Sequence, residues 1–336
     1  MGNRSERTIL IKGYYGFENV GDDVFCLVSN KYLNTNHSDI KTIYIGSNIP
    51  NAVNSIKINS NYLRRFIELY YMLKVNKIIF FGGSLFHSKI KIGDFRYLMS
   101  LNKKIMKKTS AFGISVGPFK DSIAKEGNLK FLENIGPVFV RDTRSTKYFK
   151  NIKYSFDAAL LISELFPELL RINKTDVLGI NIGSFNTTSK SMDKITSFIE
   201  ENNIKNIKLF IFNNDDKKLV EVFFRNLKNQ NVKIIEYNND TYSILSEMAK
   251  CSFMIGERLH FGIISFSLGI PFLQIEYHQK CTDFLDEIKF PNQYRDNWNL
   301  AYLEKGILNN ILNQEKCLKL EVLKSSLKEL DKFIDE

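Results

Sequence analysis

The sequence predicts an α/β fold class, with two wound parallel sheets in one chain of 336 residues. Short β-branched apolar runs alternate with segments of helical periodicity in both halves of the chain, as in parallel α/β units. Several of these runs end in glycines, which is typical of buried strands that lead into ligand loops. Hydrophobic residues make up 44% and charged residues 25% of the chain, which excludes disordered and fibrous proteins.

In the first half, residues 8–11 form an apolar run that predicts a buried strand followed by a glycine loop. A helix is expected from about Asp22, because Phe25, Val28 and Tyr32 recur at helical spacing and Asp22 is placed to cap the first turn. Further strands are predicted over residues 42–45, 77–81, 109–114 and 138–140.

The second half repeats this alternation. Strands are predicted over residues 177–182, 205–212, 232–237, 252–255 and 272–275, and helices over 191–202, 219–229 and 242–250. The segment around Pro167 carries the change of pattern, so we expect α/β domains over residues 1–165 and 166–300. Residues 301–336 predict an amphipathic helical segment, and its leucines are Leu318, Leu320, Leu323, Leu327 and Leu330.

The chain is basic, with 47 Lys and Arg against 37 Asp and Glu and a formal charge of +10. This excess attracts anions such as phosphorylated small molecules and acidic membranes. Nucleic acid is disfavoured because the aromatic residues lie in apolar runs. Lys103, Lys104, Lys107 and Lys108 form one basic face, interpreted either as solvated surface or as a contact with an anionic membrane.

The chain lacks an apolar run of membrane-spanning length, and its first residues lack a signal-peptide core. We therefore expect a cytoplasmic, soluble protein, with peripheral contact at the inner face of the membrane as an open alternative. The four cysteines are widely separated, so neither a zinc site nor a redox dithiol is predicted, and no metal is expected.

The strongest candidate for chemistry is the segment 256–260, which follows a predicted strand and begins a helix. A helix N-terminus favours anions, and Arg258 can add a bidentate contact to phosphate or carboxylate. His260 can donate or accept a proton beside that anion. The competing interpretation pairs Arg258 with a local acid and makes His260 a packing residue.

Three loops after strands add further candidates. The first loop has glycines at 13, 16 and 21, a spacing that fits neither a dinucleotide fingerprint nor a Walker loop. It carries Asp22 and Asp23, which either act on sugar hydroxyls or serve as helix cap and dipole partner. The Gly83-Ser84 loop suits close approach of a ligand or is a packing turn. The third loop, after residues 138–140, begins with Arg141, which is either a second anion contact or a solvated side chain.

Taken in order, these motifs resemble the polysaccharide pyruvyl transferase family over about residues 8–285. The resemblance begins with Gly-Tyr-Tyr-Gly-x-x-Asn-x-Gly-Asp at 13–22 and includes Gly-x-Arg-Leu-His at 256–260. Further matching segments lie between and after them: Gly-Gly-Ser-Leu at 82–85, Gly-x-x-x-Gly-Pro at 113–118, Val-Arg-Asp at 140–142, Asp-Ala-Ala-Leu at 157–160, Gly-Ile-Pro-Phe at 269–272 and Tyr-x-x-Lys at 277–280.

The resemblance implies two Rossmann-like domains in a glycosyltransferase-B-like arrangement, with the acceptor on the N-terminal side and the donor on the C-terminal side. It implies transfer of enolpyruvyl from phosphoenolpyruvate to two hydroxyls of a sugar in a surface polysaccharide, such as an exopolysaccharide, or its precursor. The products are a pyruvate ketal and phosphate, and no cofactor is required. The acceptor is a sugar or a lipid-linked oligosaccharide.

The resemblance also implies roles for individual residues. His260 is the expected proton donor, and Asp22 or Asp23 is expected to orient or deprotonate an acceptor hydroxyl. The remaining expected contacts bind substrate, and they are Arg258, Leu259, Arg141, Lys280, Asn19, Gly83 and Ser84.

Glu257 departs from the family pattern because it puts a negative charge beside the expected anion contact. If its carboxylate points toward the donor, phosphoenolpyruvate binding weakens. Two other functions therefore stay open. One is a glycosyltransferase of the same architecture that uses a nucleotide sugar, with Glu276 as the acid for the ribose hydroxyls. The other is a non-catalytic protein that binds polysaccharide assembly components.

Overall fold

Alternation of short buried strands with helices produces two parallel sheets, each in its own unit of the chain. The computed structural model describes residues 7–50, 53, 55–183, 189–227 and 229–336. Unit 1 comprises the chain up to Phe17, Asp22–Ala158 and Glu321–Glu336, and unit 2 comprises Glu18–Gly21 and Ala159–Leu320. The chain therefore changes unit after Ala158, whereas the sequence analysis places the boundary at residues 165 and 166.

Unit 1 contains a seven-stranded sheet whose strand pairs are parallel. Its order is β3-β2-β1-β4-β5-β6-β7. The strands are β1 (Arg7–Lys12), β2 (Ile40–Gly46), β3 (Ser55–Lys57), β4 (Lys77–Phe81), β5 (Thr109–Ile114), β6 (Val138–Val140) and β7 (Ile152–Tyr154). Leu10, Ile78 and Ala111 lie at the centre of the core, which explains why these strands read as continuous apolar runs.

Among the described residues of this unit, the α-helices between the strands are α1 (Val20–Asn36), α2 (Asn61–Lys74), α3 (Phe95–Ser100), α4 (Lys103–Lys107) and α5 (Ser122–Glu133). The expectation that Asp22 caps the first helix is wrong, because α1 begins at Val20. Asn19 takes that role, since its Oδ1 accepts a hydrogen bond from the Gly21 N–H at 3.1 Å.

Unit 2 contains a five-stranded parallel sheet with the order β10-β9-β8-β11-β12. Its strands are β8 (Leu178–Asn181), β9 (Asn206–Ile211), β10 (Asn231–Glu236), β11 (Phe253–Gly256) and β12 (Phe272–Gln274). Its helices are α6 (Ile162–Leu165), α7 (Pro167–Leu170), α8 (Ser189–Glu201), α9 (Lys217–Asn226), α10 (Thr241–Ala249), α11 (Leu259–Ser267), α12 (Gln279–Glu287), α13 (Asn292–Asp296) and α14 (Trp298–Leu303).

The last helix, α15 (Lys305–Asp335), confirms the predicted C-terminal helical segment. Four of its five predicted apolar positions, Leu320, Leu323, Leu327 and Leu330, are buried, whereas Leu318 is half exposed. Residues of α15 belong to both units, because the division falls between Leu320 and Glu321. Within the described residues, every helix is either too short or too polar to cross a bilayer.

Candidate functional site

The expected site residues follow the carboxyl ends of strands in both sheets. In unit 2, β8 and β11 are neighbours, and the chain proceeds from them toward opposite edges of the sheet. Ligands of wound α/β sheets bind outside the strand ends at such a switch point. Residues 257–260 follow β11 directly, and Gly183 lies just after β8. The strand order therefore brings the Arg-Leu-His segment to the expected ligand edge of unit 2.

Arg258 is almost completely buried, and a carboxylate holds its guanidinium. Its Nε and Nη2 donate to the two carboxylate oxygens of Asp216, each at 2.6 Å. The Arg258 N–H donates to Oδ1 of Asn181 at 3.1 Å, which ties the residue to the end of β8. The competing interpretation expects Arg258 to pair with a local acid; it pairs instead with an acid 42 residues away in the sequence. The pair also fixes the guanidinium plane, because a bidentate contact permits one orientation.

Glu257 is buried as well, and its carboxylate contacts backbone. Its Oε2 accepts a hydrogen bond from the Gly183 N–H at 2.7 Å. Its own carbonyl oxygen accepts a hydrogen bond from Nε2 of Gln274 at 2.7 Å. The side chain that departs from the family pattern is therefore engaged with the loop after β8.

His260 lies in the first turn of α11 and packs against a distant segment of the chain. A Cβ atom added to Gly21 would lie 2.3 Å from Nδ1 of His260, so the imidazole occupies the space beside the Gly21 backbone. The same segment pairs with the end of β9, because Asn19 forms an antiparallel bridge with Asn213. The Val20 N–H also donates to the Phe212 carbonyl at 3.0 Å. Residues 18–21 therefore complete the surroundings of His260 in unit 2.

The loop after β12 supplies the remaining candidates of unit 2. Lys280 lies in the first turn of α12, where its N–H donates to Nδ1 of the capping residue His278 at 3.1 Å. Burial raises the pKa of the Tyr277 phenol to about 12, and nearby Cys281 adds to this effect while Arg258 opposes it. The Tyr277 hydroxyl is therefore protonated and interacts electrostatically with Arg258. Glu276 is exposed.

In unit 1, Arg141 is the centre of a buried polar network. Its Nη1 donates to Asp157 at 2.8 Å, its Nε to the Ser115 hydroxyl at 2.8 Å and its Nη2 to the Ser84 hydroxyl at 3.2 Å. Arg141 is 6% exposed, so the alternative of a solvated side chain is wrong. The expected substrate contacts Arg141 and Ser84 are thus in direct contact, and Asp157 and Ser115 hold the Arg141 guanidinium.

The two adjacent aspartates of α1 have different environments. Asp23 is fully buried, and its Oδ1 accepts a hydrogen bond from the Gly16 N–H at 2.7 Å, which holds the loop where Gly16 adopts a φ of +76°. Asp22 is only partly buried, and its Oδ1 lies 3.5 Å from the Cβ position of Gly83. Asp22 therefore lies beside the glycine turn after β4, whereas Asp23 stabilises the loop after β1.

The structure thus divides the expected site residues into two groups. Asp22, Asp23, Gly83, Ser84 and Arg141 belong to unit 1, and Asn19, Arg258, Leu259, His260 and Lys280 belong to unit 2.

Two acids were not predicted as site residues, namely Asp216 and Asp157, although Asp157 begins the Asp-Ala-Ala-Leu segment of the family resemblance. Asp216 ends an Asn-Asn-Asp-Asp run directly after a predicted strand, a signal that could have identified it.

A family model described as Polysaccharide pyruvyl transferase matches residues 19–279. No curated protein sequence matches the chain.

Three solved structures are similar in fold. A glycosyltransferase from Rickettsia africae has a TM-score of 0.60 at 12% identity and covers 98% of this chain and 99% of its own. A UDP-glucosyltransferase from Polygonum tinctorium has a TM-score of 0.57 at 9% identity, and the match covers 99% of this chain and 100% of the other. A UDP-GlcNAc 2-epimerase from Methanocaldococcus jannaschii has a TM-score of 0.53 at 12% identity, and the match covers 90% of this chain and 92% of the other. These similarities confirm the expected α/β fold class with two Rossmann-like units, as in enzymes of the glycosyltransferase-B type.

Proposed function

Because the chain belongs to the polysaccharide pyruvyl transferase family, we propose that it transfers the enolpyruvyl unit of phosphoenolpyruvate to two hydroxyls of a sugar. The sugar belongs to a surface polysaccharide or its precursor, and the transfer leaves a pyruvate ketal and phosphate. The family is a transferase family, and the donor, the acceptor hydroxyls and the ketal product are the parts that we propose.

The observation that carries the proposal is the meeting of two family motifs around His260. Gly21, from the opening motif, lies against the imidazole of the Arg-Leu-His motif although the two are far apart in sequence. A packing histidine would need only an apolar neighbour. Here Gly21 leaves room for the ring, and Asn19 fixes the segment by capping α1 and bridging to Asn213.

The start of α11 beside His260 suits an anionic donor such as phosphoenolpyruvate. Arg258 is the N-cap residue of α11, and its side chain makes no capping hydrogen bond to the first turn of the helix. The helix dipole favours an anion there. Asp216 orients Arg258 and neutralises part of its charge when no donor is bound.

His260 is the proposed acid. It gives a proton to the methylene carbon of phosphoenolpyruvate, which leaves the neighbouring carbon electrophilic. A first sugar hydroxyl bonds to that carbon and gives its proton back to His260, and a second hydroxyl then displaces phosphate, which leaves with the second hydroxyl's proton, to close the ketal. General acid catalysis of this kind contributes about 10² to 10⁴-fold. The roles expected for Asp22, Asp23 and Arg141 of unit 1 stay predictions.

The donor can be tested by thermal unfolding with phosphoenolpyruvate, UDP-GlcNAc, GDP-mannose or CMP-sialic acid. A donor at about 100 times its dissociation constant adds roughly 2.7 kcal/mol to the free energy of unfolding. We expect this stabilisation from phosphoenolpyruvate and its loss in Arg258→Ala. Arg295→Ala is the control, because Arg295 pairs with Asp286 elsewhere in unit 2. Stabilisation by a nucleotide sugar instead would make the protein a glycosyltransferase.

The role of His260 is tested by phosphate release from phosphoenolpyruvate with a panel of free sugars and lipid-linked oligosaccharides. We expect His260→Ala and His260→Gln to lose nearly all turnover while phosphoenolpyruvate still raises their melting temperatures. Full turnover in either variant would remove the proton-transfer role.

A further inference from the structure

Helix α2 presents an apolar face to solvent. Six large side chains of this helix are between 36% and 80% exposed, and they are Tyr62, Leu63, Phe66, Leu69, Tyr70 and Leu73. Their spacing places them on one side of the helix, and they are called the α2 face below. A surface helix ordinarily shows polar residues on this side. A contiguous exposed apolar patch of this kind is typical of an interaction site.

The opposite side of α2 already anchors the helix to unit 1. Met72 is part of the buried core, and Ile67 and Tyr71 pack against that core. Glu68, which is the one acidic residue in the α2 sequence, forms a 2.6 Å ion pair with Lys12 of β1. The α2 face is therefore distinct from the side of the helix that packs on the core. It is a second apolar side.

Two positive side chains flank the α2 face on its own helix, and further lysines are exposed elsewhere in unit 1. Arg65 and Lys74 are exposed on the same helix. At its C-terminal end, Nζ of Lys108 donates to the Val75 carbonyl at 2.5 Å, which places α4 next to α2. Three exposed lysines, Lys103, Lys107 and Lys130, line a groove between α3, α4 and α5, and none of the described residues lining that groove is acidic.

We propose that the α2 face docks on the surface of an anionic lipid bilayer. Apolar and aromatic side chains enter the boundary between headgroups and acyl chains, while Arg and Lys bind the lipid phosphates. A second copy of the chain would bring Arg65 and Lys74 against equally basic surroundings, which disfavours self-association through this face. The inference does not depend on the identity of the donor.

The test is flotation of the whole protein with vesicles of phosphatidylcholine alone or with about one third phosphatidylglycerol, a content high enough to give a negative surface potential. We expect binding to the anionic vesicles only. Phe66→Ser combined with Tyr70→Ser should weaken binding by about tenfold or more, because the variant lacks the two aromatic rings whose transfer from water into the bilayer favours binding. Phe224→Ser, at a similarly exposed helical phenylalanine of unit 2, should leave binding unchanged.

Arg65→Glu combined with Lys74→Glu should abolish binding, whereas Lys218→Glu combined with Lys328→Glu changes the net charge equally and should preserve most of it. Circular dichroism melts establish that each variant is folded. Equal binding by both double charge variants would overturn the proposal. So would light scattering that shows a wild-type dimer and a monomeric Phe66→Ser, since a second copy would then cover the α2 face.

Discussion

His260 lies against Gly21, and this contact explains why the opening motif needs glycine at that position. Gly21 lies in the first turn of α1, where any other residue would bring a Cβ atom to 2.3 Å from Nδ1 of the imidazole. Space decides the residue type at this position.

We expect Gly21→Ala to displace the His260 ring and to lower turnover by about 100-fold, since a misplacement of about 1 Å at a reacting group can have that effect. Steady-state phosphate release measures it, and the melting temperature shows whether the fold persists. Gly127→Ala is the matched control, because Gly127 lies in α5 with nothing within 4 Å of its Cβ position. That control should stabilise the protein by about 0.5–1 kcal/mol and leave turnover unchanged. Normal turnover in Gly21→Ala would show that the contact is only packing.

Both arginines that the sequence marks as anion contacts prove to be paired with buried acids. Arg258 pairs with Asp216, and Arg141 pairs with Asp157. A buried ion pair adds little net stability, because desolvation of the two charges offsets their attraction. Its effect here is geometric, since the carboxylate fixes where the remaining guanidinium edge points.

At the scale of elements, strands were predicted more accurately where burial makes the apolar run continuous. The predicted bounds of β4, β5 and β6 coincide with the observed ones, because a glycine, a proline or a charged residue adjoins each strand on at least one side. The strands β3 and β7 were missed. Each has three residues and none of them is fully buried, so pairing with a neighbouring strand stabilises them without an apolar signal.

Some residues of the site can be predicted from the adjacent sequence, whereas others are brought together only by the folded chain. Arg258 and His260 can be predicted as site residues because both follow the end of one strand. Asp216 lies 42 residues from Arg258, so no local pattern predicts their pair. The membership of residues 18–21 in unit 2 is likewise a property of the folded chain, since nothing in those four residues indicates pairing with the end of β9.

The C-terminal end of α15 is attached to unit 1 by polar contacts that the leucine pattern does not reveal. The Tyr32 hydroxyl donates to Asp331 at 2.8 Å, and Nε2 of His37 lies 2.9 Å from the same carboxylate. Burial raises the pKa of the Tyr32 phenol, so it remains a donor at neutral pH.

We expect Asp331→Ala to lower the free energy of unfolding by about 1–3 kcal/mol, because it leaves two buried polar groups without this partner. Hydrogen exchange should then rise in Glu321–Glu336. Glu329→Ala is the control on the same helix, since Glu329 forms only a half-exposed pair with Lys153 and such pairs contribute little. Equal effects of the two substitutions would contradict the assignment.

For the whole molecule, the formal charge of +10 acts differently at exposed and buried sites. Arg65 and Lys74 beside the α2 face are exposed, so salt screens their attraction to lipid. Arg258 is buried and held by Asp216, which makes its contacts depend on geometry more than on the surrounding ions. Salt screening shortens the range of a charge from about 10 Å at 0.1 M to about 3 Å at 1 M.

Raising sodium chloride from about 0.05 M to about 0.5 M should therefore reduce vesicle binding severalfold more than it reduces the thermal stabilisation by phosphoenolpyruvate. Both quantities are measured on one preparation, the first by flotation and the second by melting temperature at a fixed donor concentration. The Lys218→Glu and Lys328→Glu double variant should keep this difference, because it changes the net charge away from both sites. Vesicle binding that resists salt would mean that apolar burial alone drives it, and the positive residues beside the α2 face would then have no part in docking.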